Sequence, residues 1–141
     1  MATIKIKKEG GRVPAYAHPG DSGMDIFSAV DCMIKPGERK IISTGIRMEV
    51  PFGYEAQTRP KSGLAIKHGI TVLNTPGTID SGYRGEVKVI LINLGSEDYS
   101  VKKGEKIAQL VINRVEQAEI IETEILSETA RSEGGFGSTG I

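Results

Sequence analysis

The apolar residues of this chain fall in short runs of alternating pattern, and Gly or Pro closes nearly every run. Ile4 and Ile6 alternate with polar neighbours over Thr3 to Lys7. The same habit returns at Ser22 to Ala29, Ile41 to Val50, Tyr54 to Arg59, Ile70 to Leu73, Glu86 to Asn93 and Gly104 to Ile112. Alternation is the period of a half-buried strand, and short strands separated by Gly and Pro turns predict a sandwich or barrel. The composition agrees. Only 5% of residues are aromatic and there is no Trp, so the core is aliphatic and largely β-branched, which favours strands. The 141 residues fit one domain able to bury about two thirds of its unfolded surface.

Several function classes are disfavoured at this level. Lys+Arg and Asp+Glu are both 18, so global charge argues against nonspecific nucleic-acid binding, while a local cationic site for phosphates stays open. Cys32 is the one cysteine, which removes an internal disulfide and any multi-cysteine metal cluster. No apolar stretch approaches membrane-spanning length, and Met1 to Glu9 lacks the apolar core of a signal peptide. A soluble intracellular protein, cytoplasmic and without membrane partners, is expected.

Most turns are ordinary. Lys35 to Glu38, Pro51 to Gly53 and Gly95 to Asp98 are expected turns, Gly10 to Asp21 a loop, and Gly45 a bend or bulge. Glu86 to Asn93 is apolar on both faces, which predicts a strand covered on both sides. Val115 to Leu126 is compatible with helix or strand; strand is expected because its neighbours are strands.

Five places carry candidate chemistry. Pro60 ends a strand and Ser62 is a good N-cap for one or two helical turns that Gly69 ends. Free N–H groups there, with Lys61 and Arg59, would suit an anion; a capped structural helix is the simpler alternative. His68 reads as a helix-end residue. Asn74 to Glu86 lies between two apolar runs and reads as a β-hairpin, with Pro76-Gly77 and Ser81-Gly82 as turn pairs. Its tip carries Asp80 and Tyr83, a carboxylate and a phenol. Gln109 is an amide inside an apolar run and needs partners. The Gly-rich tail from Arg131 to Gly140 holds one Arg and one Phe, which suit a phosphate and a flat ring; a frayed terminus is the alternative. Asp25 points away from Met24 and Ile26, and solvent exposure is one reading of it.

Taken together, five segments in order resemble the motifs of the trimeric dUTP pyrophosphatases, the dUTPases. They are Ser22-Gly23-Met24-Asp25-Ile26-Phe27-Ser28-Ala29, Arg59-Pro60-Lys61-Ser62-Gly63-Leu64-Ala65, Gly77-Thr78-Ile79-Asp80-Ser81-Gly82-Tyr83-Arg84-Gly85, Gly104-Glu105-Lys106-Ile107-Ala108-Gln109-Leu110 and Gly134-Gly135-Phe136-Gly137-Ser138-Thr139. Each is weak alone; all five with this spacing, over nearly the whole chain, are specific.

The resemblance implies an all-β, jelly-roll or barrel-like subunit with one short helix, and a homotrimer with an exchanged C-terminal segment. Residues 1–127 would form the jelly roll and 128–141 a flexible tail closing over a neighbour's active site. The implied reaction is hydrolysis of dUTP to dUMP and pyrophosphate by water attack on the α-phosphorus, assisted by Mg²⁺. It would keep uracil out of DNA and supply dUMP for thymidylate synthesis. Asp80 would be the catalytic base. Asn74, Gly77, Thr78 and Ile79 would read uracil, and Tyr83 would pack under the deoxyribose. Lys61, Ser62, Gly63 and Gln109 would hold phosphates, and Asp25 would act on the metal through water. Arg131, Phe136, Gly137, Ser138 and Thr139 would form the lid. Two departures stand out: Lys61 replaces the family's usual Arg, and Glu133 puts negative charge near the lid's phosphate-binding end. The same-fold alternative, a dCTP deaminase or bifunctional deaminase–dUTPase, needs a carboxylate about ten residues beyond Asp80, where this chain has Ile90. The other alternative is a nucleotide-sensing jelly roll without catalysis.

Overall fold

Eleven strands and one short helix make up the structure, a computed structural model that describes residues 1–140. One antiparallel sheet runs β1 (Lys5–Lys8), β5 (Arg39–Glu49), β9 (Glu86–Asn93) and β7 (Ile70–Val72). A second runs β2 (Ala15–Tyr16), β3 (Gly23–Phe27), β11 (Lys106–Arg114), β6 (Tyr54–Arg59) and β8 (Gly77–Ile79). A two-stranded ribbon joins β4 (Cys32–Ile34) to β10 (Tyr99–Val101). The expected all-β class with one short helix holds.

The core lies between the two larger sheets and is almost wholly aliphatic. Ile26 of β3, Ile42 of β5, Val89 and Leu91 of β9, and Leu110 of β11 are all buried in one cluster. Each such side chain contributes about 1.5–3 kcal/mol relative to exposure. Asn93, one of five buried polar side chains among the described residues, is fully satisfied. Its amide donates to the carbonyls of Ile34 (2.9 Å) and Glu97 (2.8 Å), and its oxygen accepts from the N–H of Gly95 (2.9 Å). That ties the end of β9 to β4.

Gly45 sits where β5 slips register against β9, between Ser43 and Arg47. Its φ is +64°, and a Cβ there would stand 2.5 Å from the backbone nitrogen of Gly11. The carbonyl of Gly45 accepts from Glu9 (2.8 Å) and Gly11 (3.0 Å), so the bulge also anchors the strand before the first loop.

Several expectations change. The first strand begins at Lys5 rather than Thr3, and the loop from Gly10 to Asp21 contains the two-residue β2. The helix α1 (Ser62–His68) ends at Gly69 as expected, in the left-handed conformation with φ 67. Its cap is Lys61, with no side-chain cap hydrogen bond; Ser62 is the first helical residue, not the cap. β9 is buried on the Val87, Val89 and Leu91 face, whereas Ile90 and Ile92 are only half-buried within the protomer. β7 and β9 pair as a hairpin would, Ile70 opposite Asn93. The Gly77–Ile79 segment between them, however, is not a turn: it crosses to the other sheet and adds to β6, Gly77 opposite Thr58. Its burial alternates as a strand's does.

The expected strand over Val115 to Leu126 does not form. The last ladder-like contact is the Val115 N–H on the Gly53 carbonyl (2.9 Å), and residues 116–126 carry no strand. β3 pairs with β11 no further than Val111 and β6 no further than Arg114, so both neighbouring strands end before residue 115 and the continuation has no strand to pair with. Ile120, Ile121, Ile125 and Leu126 are left exposed.

Candidate active site

The crossing of β8 between sheets builds a small cleft. β8 delivers Thr78 and Ile79, and the chain then turns at Asp80 to Tyr83, where the Tyr83 N–H donates to the Asp80 carbonyl (3.1 Å). Asp80, Tyr83, Asn74 and Thr78 line a cleft of about 250 Å³, walled on the apolar side by Ile41 and Ile90. Asp80 is exposed and its carboxylate takes no ion pair among the described residues. Two clefts of about 550 Å³ lie elsewhere; one, between Phe52 and Val115, reaches the other side of Asp80 and Ser81, and the other runs along β1. The small cleft gathers the most of the expected substrate-binding side chains.

Close packing of glycine shapes its floor. A Cβ on Gly77 would stand 2.1 Å from Thr58 Oγ1 and 3.3 Å from Asn74 Nδ2. A Cβ on Gly85 would stand 2.4 Å from the Tyr83 ring carbon Cζ. The ring therefore lies directly on the Gly85 backbone, and its hydroxyl donates to the Glu86 carbonyl (2.9 Å). Tyr83 is held as a fixed plate, half-exposed on its other side.

A second group forms on the five-stranded sheet. Asp25, Gln109 and Arg59 stand opposite one another across β3, β11 and β6. Asp25 is not solvent-facing: it is 6% exposed, and its two oxygens meet the ammonium groups of Lys61 and Lys106, the second at 2.8 Å. Burial pushes its pKa up, but the hydrogen bonds from Lys106 and Lys61 outweigh burial and hold it below the ordinary aspartate value. The Gln109 amide donates to the Pro60 carbonyl (2.9 Å), which ties β11 to the turn before α1. Ser62 and Gly63 open α1, where the first N–H groups have no intrahelical acceptor. Space beside Gly63 is open.

The tail forms a third group. Arg131 Nε donates to the Gly134 carbonyl (2.8 Å), Ser138 N–H to Gly135 (3.1 Å), and Phe136 is fully exposed. Ile141, the last residue of the expected lid segment, lies outside the described residues. Every residue lining the Asp80 cleft falls between Ile41 and Ile90. The chain thus assembles Asn74, Thr78, Ile79, Asp80 and Tyr83, with Gly77 beneath them, and separately assembles Asp25, Lys61 and Gln109. It brings neither Asp25 nor the tail residues Arg131, Phe136, Gly137, Ser138 and Thr139 into the cleft.

The family model for dUTPase matches residues 9–140. This chain belongs to the dUTPase family. The deoxyuridine 5'-triphosphate nucleotidohydrolase of Nautilia profundicola is 61% identical over 139 residues, covering 97% of this chain and 98% of that protein. The enzyme of the same name from Clostridium kluyveri is 58% identical, covering 96% and 94%. Among solved structures, a mutant dUTPase of Staphylococcus bacteriophage 80alpha with dUpNHpp superposes with a TM-score of 0.88 at 29% identity, over 99% of both chains. A mutant dUTPase of the S. aureus phage phi11, described as revealing the coordination of a structural Mg(II) ion, gives a TM-score of 0.82 at 25% identity over 89% and 99%.

Against the dUTPase expectations, Lys106 is the residue that sequence reasoning passed over. Strict alternation sets it on the opposite face from Gln109, and only the irregular register of β11 brings it to Asp25. The donor set also bears on the metal. Among the described residues no group of three or more His, Cys, Asp or Glu stands together. Mg²⁺ at nucleotide sites commonly takes one or two carboxylates, with waters and phosphate oxygens completing its shell. Asp25 is buried with an ammonium on each oxygen, so it fits no metal cage and suits only an outer contact, through water, with a metal that arrives on a triphosphate. No helix of the described residues is long and apolar enough to cross a membrane.

Proposed function

We propose that this chain hydrolyses dUTP to dUMP and pyrophosphate. The observation that carries the reading is the 250 Å³ cleft holding Asp80 beside Asn74, Thr78 and Tyr83. It is smaller than a drug-sized site and fits a base and sugar, with the polyphosphate left outside. Asn74 both donates and accepts, so it can read the uracil edge together with the backbone of Gly77 to Ile79. The Tyr83 plate, pinned on Gly85, takes the deoxyribose and leaves little room for a 2′-hydroxyl. Ile90 presents hydrocarbon where deamination requires a carboxylate, which speaks against the deaminase alternative.

The chemistry asks for one base. A water attacks the α-phosphorus in line with the bridging oxygen, and a carboxylate oxygen of Asp80 accepts its proton. The bond from α-phosphorus to that oxygen breaks, and pyrophosphate leaves. Lys61, Ser62, Gly63 and Gln109 hold the phosphates, with Lys61 acting as a point charge where Arg would act as a fork. Bound Mg²⁺ would offset charge on the triphosphate, with Asp25 reaching it through water.

The site is completed between subunits of a homotrimer. The exposed Ile120, Ile121, Ile125 and Leu126 support this, since a chain segment that apolar gains by crossing to a second copy. The jelly-roll unit would span 1–127 and the tail 128–141, with Arg131, Phe136, Gly137, Ser138 and Thr139 closing over a neighbour's nucleotide. The protein would act in the cytoplasm, with neither nucleic acid nor membrane as partner. Pyrophosphate release tested with dUTP, dTTP, dCTP and UTP decides the reading. Strong preference for dUTP is expected; inertness towards dUTP, or equal turnover of dCTP, overturns it.

A further inference from the structure

β11 carries an irregularity whose effect is local and specific. Lys106 stands opposite Phe27 of β3, and the next paired residue is Ala108, opposite Ile26. One residue of β11, Ile107, is therefore extra. In a regular strand residues 106 and 109 point to opposite faces, because side chains alternate. The extra residue shifts that parity, so Lys106 joins Asp25, Phe27 and Gln109 on one face. Its ammonium lies 2.8 Å from Asp25 Oδ2, while the ammonium of Lys61 lies against Oδ1. Each oxygen of one buried carboxylate holds its own cation.

We propose that Lys106 is a positioning residue for substrate binding, which neutralises Asp25 so that Lys61 is free to leave that carboxylate for the substrate's polyphosphate. The inference rests on the dUTP-hydrolysing function proposed above. A buried carboxylate with a single counter-ion holds it firmly, because departure leaves an unpaired charge in a poorly solvated place. With two counter-ions, the departure of one leaves Asp25 still paired. The cluster also carries one surplus positive charge, which an incoming anion can claim.

Lys61 is the cation placed to move. It projects from the turn before α1, beside the Ser62 and Gly63 N–H groups, whereas Lys106 opens β11, paired opposite Phe27, with its side chain half-exposed. Lysine makes this exchange necessary. A guanidinium can bond a carboxylate and a phosphate at once through different edges of its fork, but an ammonium is a compact point charge on a flexible stem. With Lys at position 61, a second cation on Asp25 is what makes the first one available.

Calorimetric titration of the full chain with dUpNHpp tests this, using wild type, K106M, K106R, K61M and the K61M/K106M double variant. Folding of each is checked by thermal melting, and K106Q carries the same expectation should K106M fold poorly. K106M is expected to weaken binding about tenfold, the scale of one charge-assisted contact. K106R is expected to restore affinity to within about threefold. The double variant is expected to bind no more weakly than K61M alone, because Lys106 acts through Lys61. In steady-state hydrolysis of dUTP, K106M should raise KM and leave kcat nearly unchanged. Unchanged affinity in a folded K106M or K106Q, failure of K106R to restore it, or additive losses in the double variant would each overturn the proposal. Wild-type protein that does not bind dUpNHpp would overturn the proposed function as well, which separates the two failures.

Discussion

Asp25 and Asp80 are both short carboxylates in segments that carry the family's motifs, yet the protomer treats them in opposite ways. Asp25 is buried in the middle of a sheet, with an ammonium on each oxygen. Asp80 stands exposed just after a three-residue strand, with no ion pair among the described residues. Glu86 sides with Asp25: its carboxylate accepts from the Ser43 hydroxyl and from the Gly45 N–H at 3.1 Å. A charge that the fold satisfies is part of the fold. A charge left open at a cleft is free for a ligand or a water, and removing it costs the fold little. The difference teaches that the two carboxylates meet a ligand differently: Asp80 is open to one as it stands, whereas Asp25 is open only when an ammonium leaves it.

The largest effect is expected at Asp80. General-base catalysis is worth about 10² to 10⁴ in rate, so Asp80→Asn should lower kcat by that order. Urea stability should stay within about 0.5 kcal/mol of wild type, as for an exposed substitution. Measurement of kcat by pyrophosphate release, with Kd for dUpNHpp alongside, checks it. Binding should persist or tighten, since a negative charge near the triphosphate has gone. Near-normal turnover would transfer the base role to another group.

The tail belongs with Asp80 on the unfinished side of the comparison. Deleting residues 131–141 should leave the fold intact, because no core side chain comes from 131–140. Stacking by Phe136 is worth about 1–3 kcal/mol, taking base–aromatic stacking as a guide, so activity should collapse. A truncated protein that hydrolyses dUTP at full rate would remove the lid role.

Asp25→Asn tests the finished side. It leaves two ammonium groups facing an amide, and hydrogen bonds to charged groups are worth about 1.5–3 kcal/mol each. A loss of roughly 1–3 kcal/mol in urea unfolding is expected, discounted because both lysines can turn to water. If Asp25→Asn is no less stable than Asp80→Asn, the contrast between the two carboxylates disappears.

The smallest expected effect is at Glu86. The Ser43 hydroxyl hydrogen bond, reinforced by the Gly45 N–H and Lys88, outweighs burial and holds its pKa below the ordinary glutamate value. A carboxylate depressed on folding contributes stability that is present above its unfolded pKa and is lost as pH falls through the folded one. Glu86→Gln should therefore cost about 1 kcal/mol at neutral pH, and the deficit should shrink as the pH drops into the acid range. Urea midpoints measured from pH 7 downward show whether the two curves converge; parallel curves would deny the charge any part in the fold.

Much of this molecule is legible locally. Alternating apolar runs mark most of the strands, because side-chain period is a property of neighbouring residues. Gly69 ends its helix by adopting φ 67, and Gly45 bends its strand for a similar reason. The five segments announce the dUTPase family, and the turn that carries Asp80 and Tyr83 lies within one of them. Other features are set across distance. Gly77 and Ile79 read as part of a turn until β6 offers them an edge. Val115 to Leu126 reads as a strand, but the strands beside β11 end opposite Val111 and Arg114 and leave it nothing to pair with. Asp25 reads equally as a surface residue until Lys61 and Lys106 arrive from elsewhere in the chain. The face on which Lys106 lies depends on one extra residue in the pairing of β11 with β3. Conformational preference acts through the nearest few residues, whereas register and burial depend on partners many tens of residues away. A single-residue slip in register reverses which face a side chain shares, and only the folded chain decides it.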